Sequence, residues 1–158
     1  MAGMISADLS ARGIRARIAS AGQREAGQPA TSATVRMLSG LGIDVSTHRS
    51  RTISGELVQA ADLILTAERK HVVYVAGSWP GAFDKTFTLP EFVDQAEWIG
   101  PRAGRPMRDW LTLFRADRPR GADYLRAEEI GEIADPTGES DVEWQRCFTR
   151  IGGLCHRL

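Results

Sequence analysis

The stretch that decides the fold is ADLILTAERKHVVYVAG, residues 61–77. Its apolar run Leu63–Leu65 is typical of a β-strand that is buried on both faces. Thr66 is suited to cap a helix, and Ala67–Val75 has helical spacing. Because a strand followed at once by a helix is the unit from which parallel sheets are built, this stretch predicts a parallel sheet.

Similar signals occur on both sides of this stretch. Downstream, Phe87–Leu89 predicts a strand that leads into a helix at Pro90. Upstream, alternating apolar residues in segment 14–18 predict a short strand that runs into a turn at Gly22. Together they predict an α/β fold, a three-layer single domain over residues 1–158 with a short parallel sheet flanked by helices.

Apolar periodicity and capping residues predict the remaining helices. They cover residues 1–13, 29–42, 56–61, 105–117 and 139–158. In the second of these, Leu41 belongs to the expected inner face. Residues 117–123 are expected to form an exposed connection.

The composition fits one globular domain, with 158 residues, 42% of them hydrophobic and 25% charged. Twenty basic residues balance twenty acidic ones, so net charge gives no reason to expect nucleic acid or an anionic membrane as a partner. The chain has no secretory signal and no apolar stretch long enough to span a bilayer. A cytoplasmic location is therefore predicted, and no oligomeric state is indicated.

The cysteines, Cys147 and Cys155, lie eight residues apart on the last predicted helix. That spacing separates them by about 12 Å, too far for a disulfide. We interpret both as reduced thiols on an apolar face. His71 and His156 have no second ligand at metal-binding spacing, so no metal site is predicted.

Four segments together resemble the low molecular weight protein tyrosine phosphatases. They are SAGQREAGQPA from Ser20, LGIDVSTHRSR from Leu41, ADLILTAERKH from Ala61 and IADPTGES from Ile133. The resemblance implies hydrolysis of phosphomonoesters through a cysteinyl-phosphate, without a cofactor, on a phosphorylated protein or a small phosphomonoester. Residues 1–13 resemble the helix that directly follows the family's catalytic loop.

The resemblance therefore implies a central strand and a Cys-x5-Arg-Ser-Pro loop ahead of Met1. Such a loop holds phosphate with backbone N–H groups and arginine, and it lowers the pKa of its cysteine. Neither cysteine fits this pattern, since Gly153 stands six places after Cys147 and only three residues follow Cys155. We expect the chain as given to be N-terminally truncated, to lack the nucleophile, the phosphate-binding arginine and the first, central strand, and to be inactive.

Asp135 is the candidate general acid, because the resemblance places the family's acid immediately before Pro136. Proline keeps the preceding residue extended and could aim its carboxyl into a cleft. Taken alone, Asp-Pro is also a common turn pair. Thr137 stands where family members often carry an aromatic residue, which puts a preference for phosphotyrosine in question.

His48 resembles the family histidine that supports the catalytic loop by hydrogen bonding. Without the resemblance, a histidine beside Arg49 and Arg51 would belong to a solvated loop or a weak anion patch. Trp79 and Phe83 could rim a pocket, although an aromatic turn packed on the sheet is the simpler interpretation. No substrate-binding residue is assigned.

Two functions follow from these observations. One is a phosphatase shortened at its N-terminus, for example by a start at an internal methionine. The other is a shortened paralogue that has lost catalysis and serves as a binding module. We favour the first, because losing a central strand with four large aliphatic side chains would cost about 6 to 12 kcal/mol. Arsenate reduction fits less well, because no cysteine lies between Met1 and Arg146.

Overall fold

The computed structural model describes residues 1–114 and 118–158. The chain divides into two compact units, one of residues 1–54 and 136–157, the other of residues 55–135 with Leu158. Each unit has its own set of buried side chains. Among the described helices, none is both long enough and apolar enough to cross a membrane.

The sheet belongs to the second unit and consists of two parallel strands. β1 (Ile64–Thr66) pairs with β2 (Thr86–Thr88), with Leu65 opposite Phe87. Between them the chain passes through α4 (Arg69–Ser78) and a 3₁₀ helix (Pro80–Lys85). The prediction of an α/β fold with a short parallel sheet is confirmed, with two strands in the described residues.

The other elements of this unit are helical. They are α3 (Gly55–Ala60), α5 (Leu89–Ile99), α6 (Met107–Leu111), a 3₁₀ turn (Thr112–Phe114) and α7 (Ala122–Arg126). Phe87 of β2 packs with Phe92, Trp110 and Phe114 in an aromatic cluster whose ring centroids lie 4.9 to 5.9 Å apart. This cluster covers Phe87, and all three residues of β2 are buried.

Most element ends in this unit are shifted by one to three residues from the prediction, and larger differences concern α6 and the cap of α4. The helix predicted over 105–117 is shorter, because α6 ends at Leu111 and tightens into 3₁₀ geometry, while residues 115–117 lie outside the described residues. Thr66 does not cap α4, whose first turn follows Glu68. The Thr66 hydroxyl lies 3.1 Å from the Glu68 carbonyl and 3.3 Å from the Phe87 carbonyl, as a donor to both.

The first unit contains α1 (Ala2–Ala11), α2 (Ser32–Ser39) and α8 (Asp141–Arg157). α1 packs against α8, and both helices are confirmed. A Cβ at Gly152 of α8 would lie 3.4 Å from the end of the Met4 side chain, an ordinary van der Waals contact, so this position faces α1 without requiring a glycine.

The prediction of a strand over residues 14–18 is wrong. Residues 14–20 form no strand, and Ile14 is 46% exposed. The nearest backbone pairing is an isolated bridge between Gly22 and Thr52. Alternating residues form a strand only when a neighbouring strand supplies hydrogen bonds, and the described residues supply none here.

The start of α2 also differs from the prediction. Thr31, not Pro29, precedes the helix, and its hydroxyl accepts a hydrogen bond from the Thr34 N–H at 3.2 Å. Pro29 instead forms an antiparallel bridge with Arg49. Because the helix ends at Ser39, Leu41 is not on an inner face and is 57% exposed.

Candidate active site

The carboxyl ends of β1 and β2 form the edge at which ligands bind in parallel α/β sheets. Residues 127–133 are fastened to this edge. Thr88, the last residue of β2, donates a hydrogen bond from its hydroxyl to the Gly131 carbonyl at 2.6 Å. Just beyond β1, the Ala67 carbonyl accepts a hydrogen bond from the Ile133 N–H at 2.8 Å. Both strands therefore hold this segment.

Arg69, at the start of α4, makes three hydrogen bonds to the same segment. Its guanidinium donates to the Ala127 carbonyl at 2.6 Å and to the Glu132 carboxylate at 3.2 Å. Its backbone N–H donates to Glu132 at 2.9 Å. These hydrogen bonds favour the charged forms of both side chains, because they lower the pKa of the Glu132 carboxyl and raise the pKa of the Arg69 guanidinium.

Asp135 lies two residues beyond Ile133 and is exposed. The charge of Asp135 acts on nearby Lys70. The pKa of Lys70 is raised mainly by its hydrogen bond to Glu68, which is 2.7 Å long, and the negative charge of Asp135 adds to this rise. The candidate acid is thus presented to solvent at the end of a docked segment, close to a cation. Its role as general acid stays a prediction.

His48 lies in the first unit, in an exposed turn after α2. Its backbone N–H donates to the Val45 carbonyl at 3.0 Å, and its own carbonyl accepts a hydrogen bond from Arg49 at 2.8 Å. Earlier in the turn, the Ser46 N–H donates to Asp44 and lowers the pKa of that carboxyl. His48 and Asp135 belong to different units, and a supporting role for His48 stays a prediction.

Both cysteines lie on α8, and neither is part of a disulfide. Cys155 is buried, and burial raises its thiol pKa. A raised pKa opposes thiolate formation, which a nucleophilic cysteine requires. Cys147 is partly buried. Cys155 thus lies on the buried, apolar face of α8, as the sequence pattern predicts.

The aromatic residues around the SWPGAF turn, predicted to pack on the sheet, pack on rings of the neighbouring helices α4 and α7. Phe83 is buried against Tyr124 with ring centroids 5.9 Å apart. Trp79 lies edge-on to Tyr74 at 6.3 Å. The indole of Trp79 also lies so near Gly55 that a Cβ there would be 3.1 Å from its nitrogen.

A buried ion pair was missed by the sequence interpretation. Arg118, predicted to lie in an exposed connection, donates to Glu91 at 2.7 Å, and their side chains are only 4% and 3% exposed. The Tyr124 hydroxyl donates to the same carboxylate at 2.6 Å. Glu91 had a local signal, the Thr88-x-x-Glu91 capping box. Arg118 had none, because its partners are distant in sequence.

Comparisons with known proteins agree with this fold. Residues 1–99 match the family model described as low molecular weight phosphotyrosine protein phosphatase, a range that includes His48 and ends before Asp135. Low molecular weight protein-tyrosine-phosphatase Ptp of Acinetobacter johnsonii is 33% identical over 74 residues, which are 47% of this chain and 48% of that protein. The chain spans about half the length of the curated relatives it matches.

Two solved structures extend the likeness in fold over nearly the whole chain. A YwlE mutant from Bacillus subtilis superposes with a TM-score of 0.73 at 20% identity, covering 99% of this chain and 83% of that one. A low molecular weight protein tyrosine phosphatase from T. tengcongensis gives a TM-score of 0.71 at 25% identity, covering 99% and 84%.

Proposed function

The chain belongs to the low molecular weight phosphotyrosine protein phosphatase family, and from this premise we propose that it is the scaffold of a phosphomonoester hydrolase with Asp135 as general acid. The observation that supports the proposal is the docking of residues 127–133 on the carboxyl ends of both strands. That docking presents Asp135 at the edge where parallel α/β proteins bind ligands.

The proposed chemistry proceeds through a cysteinyl-phosphate. A thiolate attacks phosphorus, the bond from phosphorus to the leaving oxygen breaks, and Asp135 gives its proton to that oxygen. Water then hydrolyses the sulfur–phosphorus bond. Neither Cys147 nor Cys155 is followed by arginine six residues later. We therefore propose that the nucleophile and the phosphate-binding arginine come from a loop outside these 158 residues.

Hydrolysis of p-nitrophenyl phosphate tests this proposal. The 158-residue chain is expected to show no turnover, whereas a version extended ahead of Met1 by a strand and a Cys-x5-Arg-Ser-Pro loop is expected to be active. In the extended version, Asp135→Asn should lower kcat for phenyl phosphate, whose leaving group depends more on protonation, by about 100-fold or more. Asp62→Asn, at an exposed carboxylate in the same unit but outside residues 127–135, is the matched control. Turnover by the short chain, or an active D135N variant, would refute the assignment.

The substrates proposed for the extended version are phosphorylated proteins or small phosphomonoesters. Thr137 provides no ring to stack on a phenyl group, so a strong advantage for aryl phosphates is not expected. A cytoplasmic location and a single-domain, truncated organisation are part of the same proposal.

A binding module is the second candidate function, favoured by the exposed segment 14–20. This segment makes no ladder hydrogen bonds within the described residues. An open groove of about 650 Å³ lies beside it, lined by Ser10, Gly13, Ile14, Arg15, Ala16 and Arg17. The occupant that fits is an extended acidic peptide, which would pair with the backbone and neutralise the arginines.

Titration with a fluorescein-labelled peptide of alternating Glu and Val distinguishes the two candidates. The binding module predicts saturable binding that weakens at least tenfold in the R15E/R17E double variant. Arg108→Glu, an exposed arginine of the second unit, is the control for general charge effects. Absence of saturable binding, or equal binding by R15E/R17E, would exclude this second function.

A further inference from the structure

The Arg69 side chain contacts both ends of the stretch of chain that leads to Asp135. Arg69 reaches the Ala127 carbonyl with one end of its guanidinium and the Glu132 carboxylate with the other, at 2.6 and 3.2 Å. Ala127 and Glu132 mark the two ends of a six-residue stretch without regular structure. The planar fork therefore holds both ends of this stretch at a set separation, which a single point charge does not do.

The connection from this stretch to Asp135 is short. Glu132 is held by Arg69, and the next residue, Ile133, is buried and hydrogen-bonded to Ala67. Only Ala134 stands between Ile133 and Asp135. A displacement of Glu132 is thus transmitted to Asp135 with little chain available to absorb it.

We propose that Arg69 is a positioning residue for Asp135, an inference that rests on the function proposed above. Proton transfer requires the acid within hydrogen-bonding reach of the leaving oxygen, and errors of about 1 Å in position are costly. Arg69 acts through Glu132 and Ala127, and it need not touch the substrate. Thr88 supports the same segment through Gly131, so loss of Arg69 loosens the segment without detaching it.

Amide hydrogen exchange in the 158-residue chain tests whether Arg69 holds the segment that leads to Asp135. Arg69→Gln should speed exchange of the Ile133 amide about tenfold or more, while the amides of β2 keep their protection. Arg126→Gln is the matched control, because Arg126 forms an exposed pair with Asp123 in the same unit. Unchanged exchange at Ile133, or parallel changes at Ile133 and in β2, would overturn the inference.

A comparison of two substrates with different leaving groups, in the loop-extended version, tests whether Arg69 positions Asp135 for proton transfer. Phenolate needs protonation to leave far more than p-nitrophenolate does, so a misplaced acid lowers kcat for phenyl phosphate more strongly. R69Q should lower kcat for phenyl phosphate at least tenfold more than for p-nitrophenyl phosphate, with partial rescue in R69K. A merely structural role would lower both rates equally, and that result would overturn the inference.

The two failures are distinguishable. If D135N leaves turnover of the extended version unchanged, the proposed role of Asp135 fails. If D135N abolishes turnover of phenyl phosphate but R69Q affects both substrates alike, Asp135 keeps its role and the positioning inference fails.

Discussion

Arg118→Met is expected to destabilise the second unit strongly, because it leaves the Glu91 carboxylate buried without its cation. Arg118 donates four hydrogen bonds, two of them to Glu91 and one each to the carbonyls of Phe83 and Thr86. Its guanidinium carbon also lies 4.3 and 4.1 Å from the ring centroids of Phe83 and Phe87. Methionine retains much of the apolar contact and removes the charge.

Removing one partner of a buried ion pair costs about 3 to 5 kcal/mol. That loss is a large part of the net stability of a typical domain, about 5 to 15 kcal/mol. Arg120→Met is the matched control, because Arg120 forms an exposed pair with Asp84 and stacks on the same Phe83 ring. An exposed pair contributes about 1 kcal/mol or less.

Urea unfolding followed by tryptophan fluorescence measures these changes, with Trp110 reporting on the buried aromatic cluster. The E91Q/R118M double variant should be more stable than R118M, because neutral glutamine still accepts the Tyr124 hydrogen bond. The double variant also gives a measurable comparison if R118M is unfolded without urea. A loss below about 1 kcal/mol in R118M, or further loss on adding E91Q, would refute the reasoning.

Three further results are expected. Burial and the Glu91 charge raise the pKa of Tyr124 above that of an unfolded tyrosine, so the free energy of unfolding should fall as pH rises above about 10. Urea titrations across about pH 9 to 11 should show a smaller fall for Y124F. Thr88→Val removes a helix cap and the Gly131 hydrogen bond, and should cost about 1 to 3 kcal/mol in the same assay, a neutral result contradicting the capping assignment. Iodoacetamide at pH 7.5 should modify Cys155 far more slowly in the folded than in the urea-unfolded chain, as mass spectrometry of peptides would show; equal rates would contradict its burial and raised pKa.

The parallel βα unit could be predicted from sequence because its signals are local. An apolar run, helical spacing and turn residues within residues 61–77 placed β1 and α4 to within a few residues. The apolar stripe of α8 was equally plain, and its inner residues Phe148, Ile151 and Leu154 are buried. Asp135 was found as a candidate through its resemblance to a family motif. That local pattern carries no information on how residues 127–133, which lead to Asp135, are held.

Segment 14–18 shows where local pattern is insufficient. Its alternation is the same in sequence whether or not a neighbouring strand is present, yet strand formation depends on that neighbour's backbone. The prediction that Leu41 lies on an inner helix face was wrong for a related reason. Apolar spacing continues to Leu41, but α2 ends at Ser39, before this residue.

The sequence by itself determined the family, the helix–strand alternation and the lack of a Cys-x5-Arg loop among these residues, because each is encoded in contiguous chain. Only the tertiary structure decided that Arg118 is buried with Glu91, 27 residues away, and that Arg69 holds Glu132, 63 residues away. Charged side chains alone favour water, and they become buried or fixed only where folding supplies a partner of opposite charge.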